Sequence, residues 1–124
     1  MEAVRALALA LPEAEERPSF GTPAFFVRTK LFARLREDGE LLVLRTGVFE
    51  RDALIAAAPT IYSTTPHYHN YPSVLVRLAT VDPAEFHEVL VESWRFVAPQ
   101  RLLATFDTHR RGRSGQQAAN DPSL

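Results

Sequence analysis

The chain has 124 residues, 46% hydrophobic and 23% charged, with a formal net charge of −1 and no cysteine. These values fit one soluble globular domain. They exclude disulfides, thiol catalysis and thiolate zinc sites, and no apolar stretch approaches the ~18 residues of a transmembrane helix. In the apolar N-terminal run Glu2 offsets Arg5 and acid follows, which suits a helix rather than a signal peptide; the expected location is cytoplasmic.

Val4, Leu7, Ala8 and Leu11 recur at helical spacing and predict a helix over 2–11 that Pro12 ends. Residues 12–23, punctuated by Pro12, Pro18, Gly21 and Pro23, read as a loop. Three strands follow, at about 24–28, 31–37 and 40–45. Asp38-Gly39 is a strong type I′ hairpin signal between the second and third, and Thr29-Lys30 is a weaker turn between the first and second. Residues 48–58 read as a helix stopped by Pro59, and 73–79 as a strand with Val74, Val76 and Leu78 on one side. Asp82-Pro83-Ala84-Glu85 is a helix start, with Asp82 as N-cap, Pro83 at N1 and Glu85 at N3. That helix runs to about Val97, and 100–106 adds a short turn. The domain is expected to occupy 1–106, with 107–124 a disordered polar tail.

Two-residue turns at both hairpins pair Arg28 with Leu31 and Glu37 with Glu40. Alternation then places Ala24, Phe26, Leu31, Ala33, Leu35, Leu42 and Leu44 on one face, to be covered by helices. The other face collects Phe25, Val27, Phe32, Arg34, Arg36, Leu41, Val43 and Arg45, with Arg77 joining from the later strand. Thirteen of the fourteen basic residues are Arg, and residues 17–51 carry a net +3. Arginines interleaved with aromatics can hold phosphates while bases stack. The alternative is that Arg stems cover a half-wet face and pair with Glu37 or Glu40.

Residues 65–72, TPHYHNYP, contain His67 and His69 at i, i+2, the weak candidates for a metal pair, but two imidazoles are an incomplete site and no acid lies nearby. The same stretch reads as a packed aromatic loop or as a contact loop with Tyr68, His69 and Tyr71 as stacking platforms. No nucleophile elbow, P-loop or dinucleotide fingerprint is present. Glu88 and Glu92, at i, i+4, read as a solvated pair. Nothing in the sequence argues for an enzyme, and no cofactor is expected.

The strings F-G-T-P-A-F, K-L-F-A-R-L, T-P-H-Y-x-x-Y-P-x-V-L-V-R-L and D-P-A-E, together with E-R-D-A-L and W-x4-P-x-R, resemble the MmcQ/YjbR family over about residues 5–102. Thr29 and Ser73 depart from its pattern, standing where members usually carry Gly and a larger residue. The resemblance implies an α+β fold, a two-layer sandwich in which helices cover one face of an antiparallel sheet, similar to the double-wing arrangement of some DNA-binding domains. It carries a DNA-binding label that rests on likeness of fold, and no catalytic residues. On this reading Lys30, Arg34, Arg36, Arg45 and Arg77 are the candidate phosphate contacts, with Tyr68 and Tyr71 beside them. The rival readings are a protein-interaction module, similar in architecture to secretion-chaperone-like domains, and small-molecule or metal binding at the 65–72 loop.

Overall fold

The computed structural model describes residues 2–66 and 72–107. Chain order is α1 (Glu2–Leu9), β1 (Ala14–Ser19), β2 (Thr22–Val27), β3 (Lys30–Leu35), β4 (Leu41–Arg45), α2 (Val48–Ala57), β5 (Tyr62–Ser63), β6 (Ser73–Arg77) and α3 (Pro83–Val97), followed by a helix over 100–107, here α4. The strands form one antiparallel sheet in the order β1-β2-β3-β4-β6-β5. Its core side is buried under Val4, Ala8 and Leu11 from the α1 segment, Phe86, Leu90, Trp94 and Val97 from α3, and Leu102 from α4. The fold is thus α+β in two layers, as expected, and none of the described helices is long and apolar enough to cross a membrane.

α3 begins where its sequence dictates. The Asp82 carboxylate accepts from the backbone N–H groups of Ala84 and Glu85, both at 3.1 Å, with Pro83 in the first turn. These bonds satisfy donors that a helix start otherwise leaves unpaired. Two polar side chains of the helix fasten it to the sheet and to the α1–β1 connection. Ser93 Oγ donates to the Phe32 carbonyl at 2.6 Å and Trp94 Nε1 donates to the Pro12 carbonyl at 3.0 Å.

Three features differ from the sequence reading. Residues 14–19, read as part of a loop, are β1, an edge strand paired with β2 from Ala14↔Val27 to Ser19↔Thr22. Its sequence, AEERPS, has no apolar alternation, none of its residues is fully buried, and Pro18 is tolerated at an edge. Phe20 and Gly21 close the hairpin, both at positive φ (52° and 79°), the geometry of a type I′ turn. The next turn is Arg28-Thr29, with Val27 opposite Lys30 and Arg28 at φ 58°.

The largest correction is a β-bulge. Phe25 pairs with Ala33 but Phe26 pairs with Leu31, so β3 spends one residue more than β2. The extra residue lets Phe32 and Ala33 both reach the core. Phe25 and Val27 therefore point into the core as well, while Ala24, Phe26 and Leu31, expected beneath the helices, lie on the opposite face. Beyond the bulge the expected register holds: Ala33 pairs with Leu44 and Leu35 with Leu42. The Asp38 carboxylate accepts from the N–H groups of Glu40 (2.8 Å) and Leu41 (3.1 Å) and shapes the connecting turn.

At the C-terminal end Asp107, expected to open the tail, instead closes α4. Its carboxylate receives both guanidinium nitrogens of Arg95, at 2.5 and 3.0 Å. The rest of the expected tail, 108–124, and the loop residues 67–71 lie outside the described residues.

Candidate functional site

The sheet face opposite the helices carries two cross-strand rows near the β3–β4 turn. Arg36, Leu41 and Arg77 form one, and Ala24, Arg34, Val43 and Leu75 the next. Arg34 is only 8% exposed. Its Nη2 meets Glu37 Oε1 at 2.5 Å, its Nε donates to the Ser19 carbonyl at 3.2 Å, and its guanidinium lies 5.2 Å from the centre of the Phe20 ring. Ala24, Val43 and Leu75, its neighbours in the row, are buried. Arg17 belongs to the same pattern: its guanidinium stacks 4.3 Å from the Phe26 ring, faces Glu15 at 4.0 Å and donates to the Arg28 carbonyl.

Acid sits among these cations. The Glu37 carboxyl is held below its usual range by a backbone hydrogen bond and then by Arg34. The Asp38 carboxyl is lowered chiefly by the N–H groups of Glu40 and Leu41, with a further pull from Arg36 and Arg77. Arg77 is exposed at the end of β6.

Arg45 departs from the expected face. Its Nε donates to the Pro72 carbonyl at 3.2 Å and its guanidinium lies 5.2 Å from the Phe96 ring of α3. It lines a cleft of about 480 Å³ with Lys30, Leu31 and Phe96. Of the five expected phosphate contacts, Arg34, Arg36 and Arg77 share the outer face, whereas Lys30 and Arg45 meet at the edge of the helix layer. Tyr68, Tyr71, His67 and His69 lie outside the described residues. Arg51 is buried within α2 and bonds Asp52 at 3.0 Å.

A different surface stands out on the helix side. α2 and α3 border an open groove of about 570 Å³. Ala53, Leu54, Val89 and Phe96 supply its apolar lining, and Glu50, Glu88 and Glu92 its carboxylates. Among the described residues Arg95 is the one cation in the lining, and it is engaged: Asp107 binds it head-on, Glu92 lies at 3.9 Å, and the Asp107 pair raises its pKa. Beside Glu50, Phe49 is 87% exposed in the first turn of α2. The three carboxylates do not converge; among the described residues no three His, Asp or Glu side chains are placed to hold a metal ion. The sequence offered half a signal, the i, i+4 spacing of Glu88 and Glu92. That α2 would bring Glu50 opposite them depends on tertiary packing.

The comparisons agree with this architecture. A stretch of 54 residues, 44% of this chain, is 46% identical to uncharacterized proteins of Mycobacterium bovis and of two strains of Mycobacterium tuberculosis; it spans 42% of each of them. The crystal structure of the Deinococcus radiodurans protein DR2400, described by the domain DUF419, superposes with a TM-score of 0.65 at 23% identity, covering 78% of this chain and 77% of that one. That likeness concerns the fold. The YjbR family profile matches residues 9–96, and with most of the folded chain inside that match, the protein belongs to the YjbR family.

Proposed function

We propose that this YjbR domain is a protein-interaction module whose α2–α3 groove takes a basic amphipathic segment of a partner protein. The observation that carries the reading is the pairing of an apolar lining with carboxylates from both helices and, among the described residues, no unengaged cation. A helix laid in a groove buries its apolar side against such a lining, and rim charges of one sign select and steer a partner of the other.

Charge elsewhere favours this over DNA, the ligand implied by the family resemblance. Residues 1–107 carry a net −3. On the sheet side Arg34 is held by Glu37, Ser19 and Phe20, and Arg45 by Pro72 and Phe96. A duplex would rely on Lys30, Arg36 and Arg77, beside the Glu37 and Asp38 carboxylates.

Anisotropy titrations with a labelled Leu/Lys amphipathic helical peptide and with a labelled 20-bp duplex, each at two salt concentrations, test the proposal. The expected result is saturable peptide binding, weakened severalfold by E88Q/E92Q, and little retention of the duplex. A duplex bound with a log–log salt slope of roughly −2 or steeper, and a peptide that does not bind, would overturn it.

A further inference from the structure

We infer that the partner segment carries acidic residues beyond its basic ones, because the α2–α3 groove runs into a cationic cleft that receives them. This inference deepens the interaction reading above and rests on it.

The two depressions share a wall. Phe96 lines both the groove and the cleft of about 480 Å³. Across from it they meet at consecutive residues, Arg45 in the cleft and Thr46 in the groove. Phe96 is 45% exposed, and the Arg45 guanidinium lies 5.2 Å from the centre of its ring.

Charge changes sign at that ring. On the groove side Glu92 already faces Arg95 at 3.9 Å, and Arg95 is bound to Asp107. Glu50 and Glu88 have no ion pair among the described residues, so they are the carboxylates open to a basic partner. On the cleft side Lys30 and Arg45 bring two positive charges, and the described lining holds no carboxylate. Lys30 is exposed and has no ion pair among the described residues. Arg45 is anchored by its Nε bond to the Pro72 carbonyl at 3.2 Å and by the Phe96 ring, neither of which removes its charge. The C-terminal end of α3 reaches the cleft at Val97. It carries about half a negative charge, too little to neutralise two cations.

Spacing sets the pattern of the partner. At 1.5 Å per residue, Glu92 and Glu88 lie about 6 and 12 Å along α3 from Phe96. A helix laid in the groove advances at the same rate. Its acidic residues therefore belong one to two turns beyond its basic ones, with its apolar side on Ala53, Leu54 and Val89 between them. Two patches of opposite sign also fix the direction in which the segment lies, which a groove of one sign does not. An exposed ion pair strengthens binding by about 1.4- to fivefold. Acid that meets both Lys30 and Arg45 is thus expected to contribute about three- to tenfold.

The test uses the full chain. Anisotropy titrations compare the Leu/Lys helical peptide extended by Glu-Glu, at its N-terminal or its C-terminal end, with the same peptide extended by Gln-Gln. The Glu-Glu form is expected to bind about three- to tenfold tighter when the extension is at one of the two ends. Lys30→Glu sets a carboxylate beside Arg45 and cancels the net charge of the cleft. It is expected to abolish the preference while the Gln-Gln form binds as before. Because Lys30 is exposed, an unchanged urea midpoint is expected to show that the variant is folded. E88Q/E92Q is expected to weaken both forms alike and leave their ratio in place. If the Gln-Gln form binds and E88Q/E92Q weakens it, yet Glu-Glu gives no gain at either end, or the gain survives Lys30→Glu, the groove reading stands and this inference is overturned. If neither form binds, both are overturned.

Discussion

Removing one hydroxyl, by Ser93→Ala, tests the bulge that reorganises the sheet. Ser93 is buried on α3, and its Oγ donates to the carbonyl of Phe32 at 2.6 Å. Phe32 is the extra residue of β3, where the ladder with β2 slips between Phe25 and Phe26. A slipped ladder leaves a backbone group in need of a partner, and the helix supplies it. Alanine keeps the Cβ and fits the same backbone, so the change isolates the hydrogen bond. A buried acceptor deprived of its donor costs about 1–3 kcal/mol. For a fold of this size each kcal/mol lowers Tm by roughly 4 °C. Urea unfolding followed by the fluorescence of Trp94, the single tryptophan and fully buried, should show the midpoint falling while the slope m stays constant, because the surface exposed on unfolding is unchanged. A loss below about 0.5 kcal/mol, the ordinary range of neutral substitutions, would refute the claim that this bond secures the bulge.

Leu42→Ala, in the fully buried centre of β4, should cost about 2–5 kcal/mol, and Leu31→Ala, on the opposite face, clearly less in the same urea titration. Asp82→Ala should cost about 0.5–2 kcal/mol through loss of the α3 cap, read as a lower urea midpoint. Burial, and then the charge of Glu85, push the Tyr62 phenol up from 10.0 to about 12. Its contribution to stability is therefore complete below pH 10 and is lost as pH rises through about 12. Stability measured from pH 9 to 12 should fall less steeply in Tyr62→Phe than in the parent. The Glu16 carboxyl is lowered by its hydrogen bond from Arg5, whose guanidinium approaches it to 2.6 Å. That contribution is present above the ordinary carboxylate range and disappears as pH falls through the lowered value, so Glu16→Gln should flatten the acid limb of the stability profile.

Local chemistry made some elements readable from sequence. Asp82-Pro83-Ala84-Glu85 announces α3 because a cap, a proline at the first position and an acid two residues later each satisfy a different demand of a helix start. Asp38-Gly39 announces the position of the β3–β4 turn because the aspartate bonds the backbone beyond it and Gly39 takes φ 72° without strain, but Asp38 does not adopt positive φ, so the turn is not the expected type I′. β1 was invisible because an edge strand with Glu15, Glu16 and Arg17 has no apolar alternation to read. The bulge was invisible because Phe25-Phe26 and Leu31-Phe32-Ala33 are apolar at every position, so either parity buries a hydrophobic side chain. The donor on α3, sixty-one residues from Phe32 in sequence, is a tertiary contact that favours the bulged arrangement. The groove was hidden for a related reason: Glu50 and Glu88 belong to helices whose meeting is a tertiary event.

The arginines show why residue counts overstate a cationic surface. Arg34 needs a strand in front of it to be understood: its partners are Ser19, which ends β1, and Phe20 in the turn beyond, and its stem stands between Ala24 and Val43 in the cross-strand row. With none of the described helices on that side, a long side chain laid flat and tied at its head covers apolar surface that the sheet would otherwise expose. Arg17 repeats the device over Phe26. A phosphate binding there would have to displace Glu37 and lift the stem from the sheet, so that its new hydrogen bonds come at the expense of packing. The α2–α3 groove has the opposite arrangement. Its arginine is neutralised from α4, and its carboxylates come from exposed helix positions where binding a cation costs no buried contact. Recognition of a basic ligand at the helices is therefore compatible with the packing of this fold, whereas recognition of an anion at Arg34 works against it.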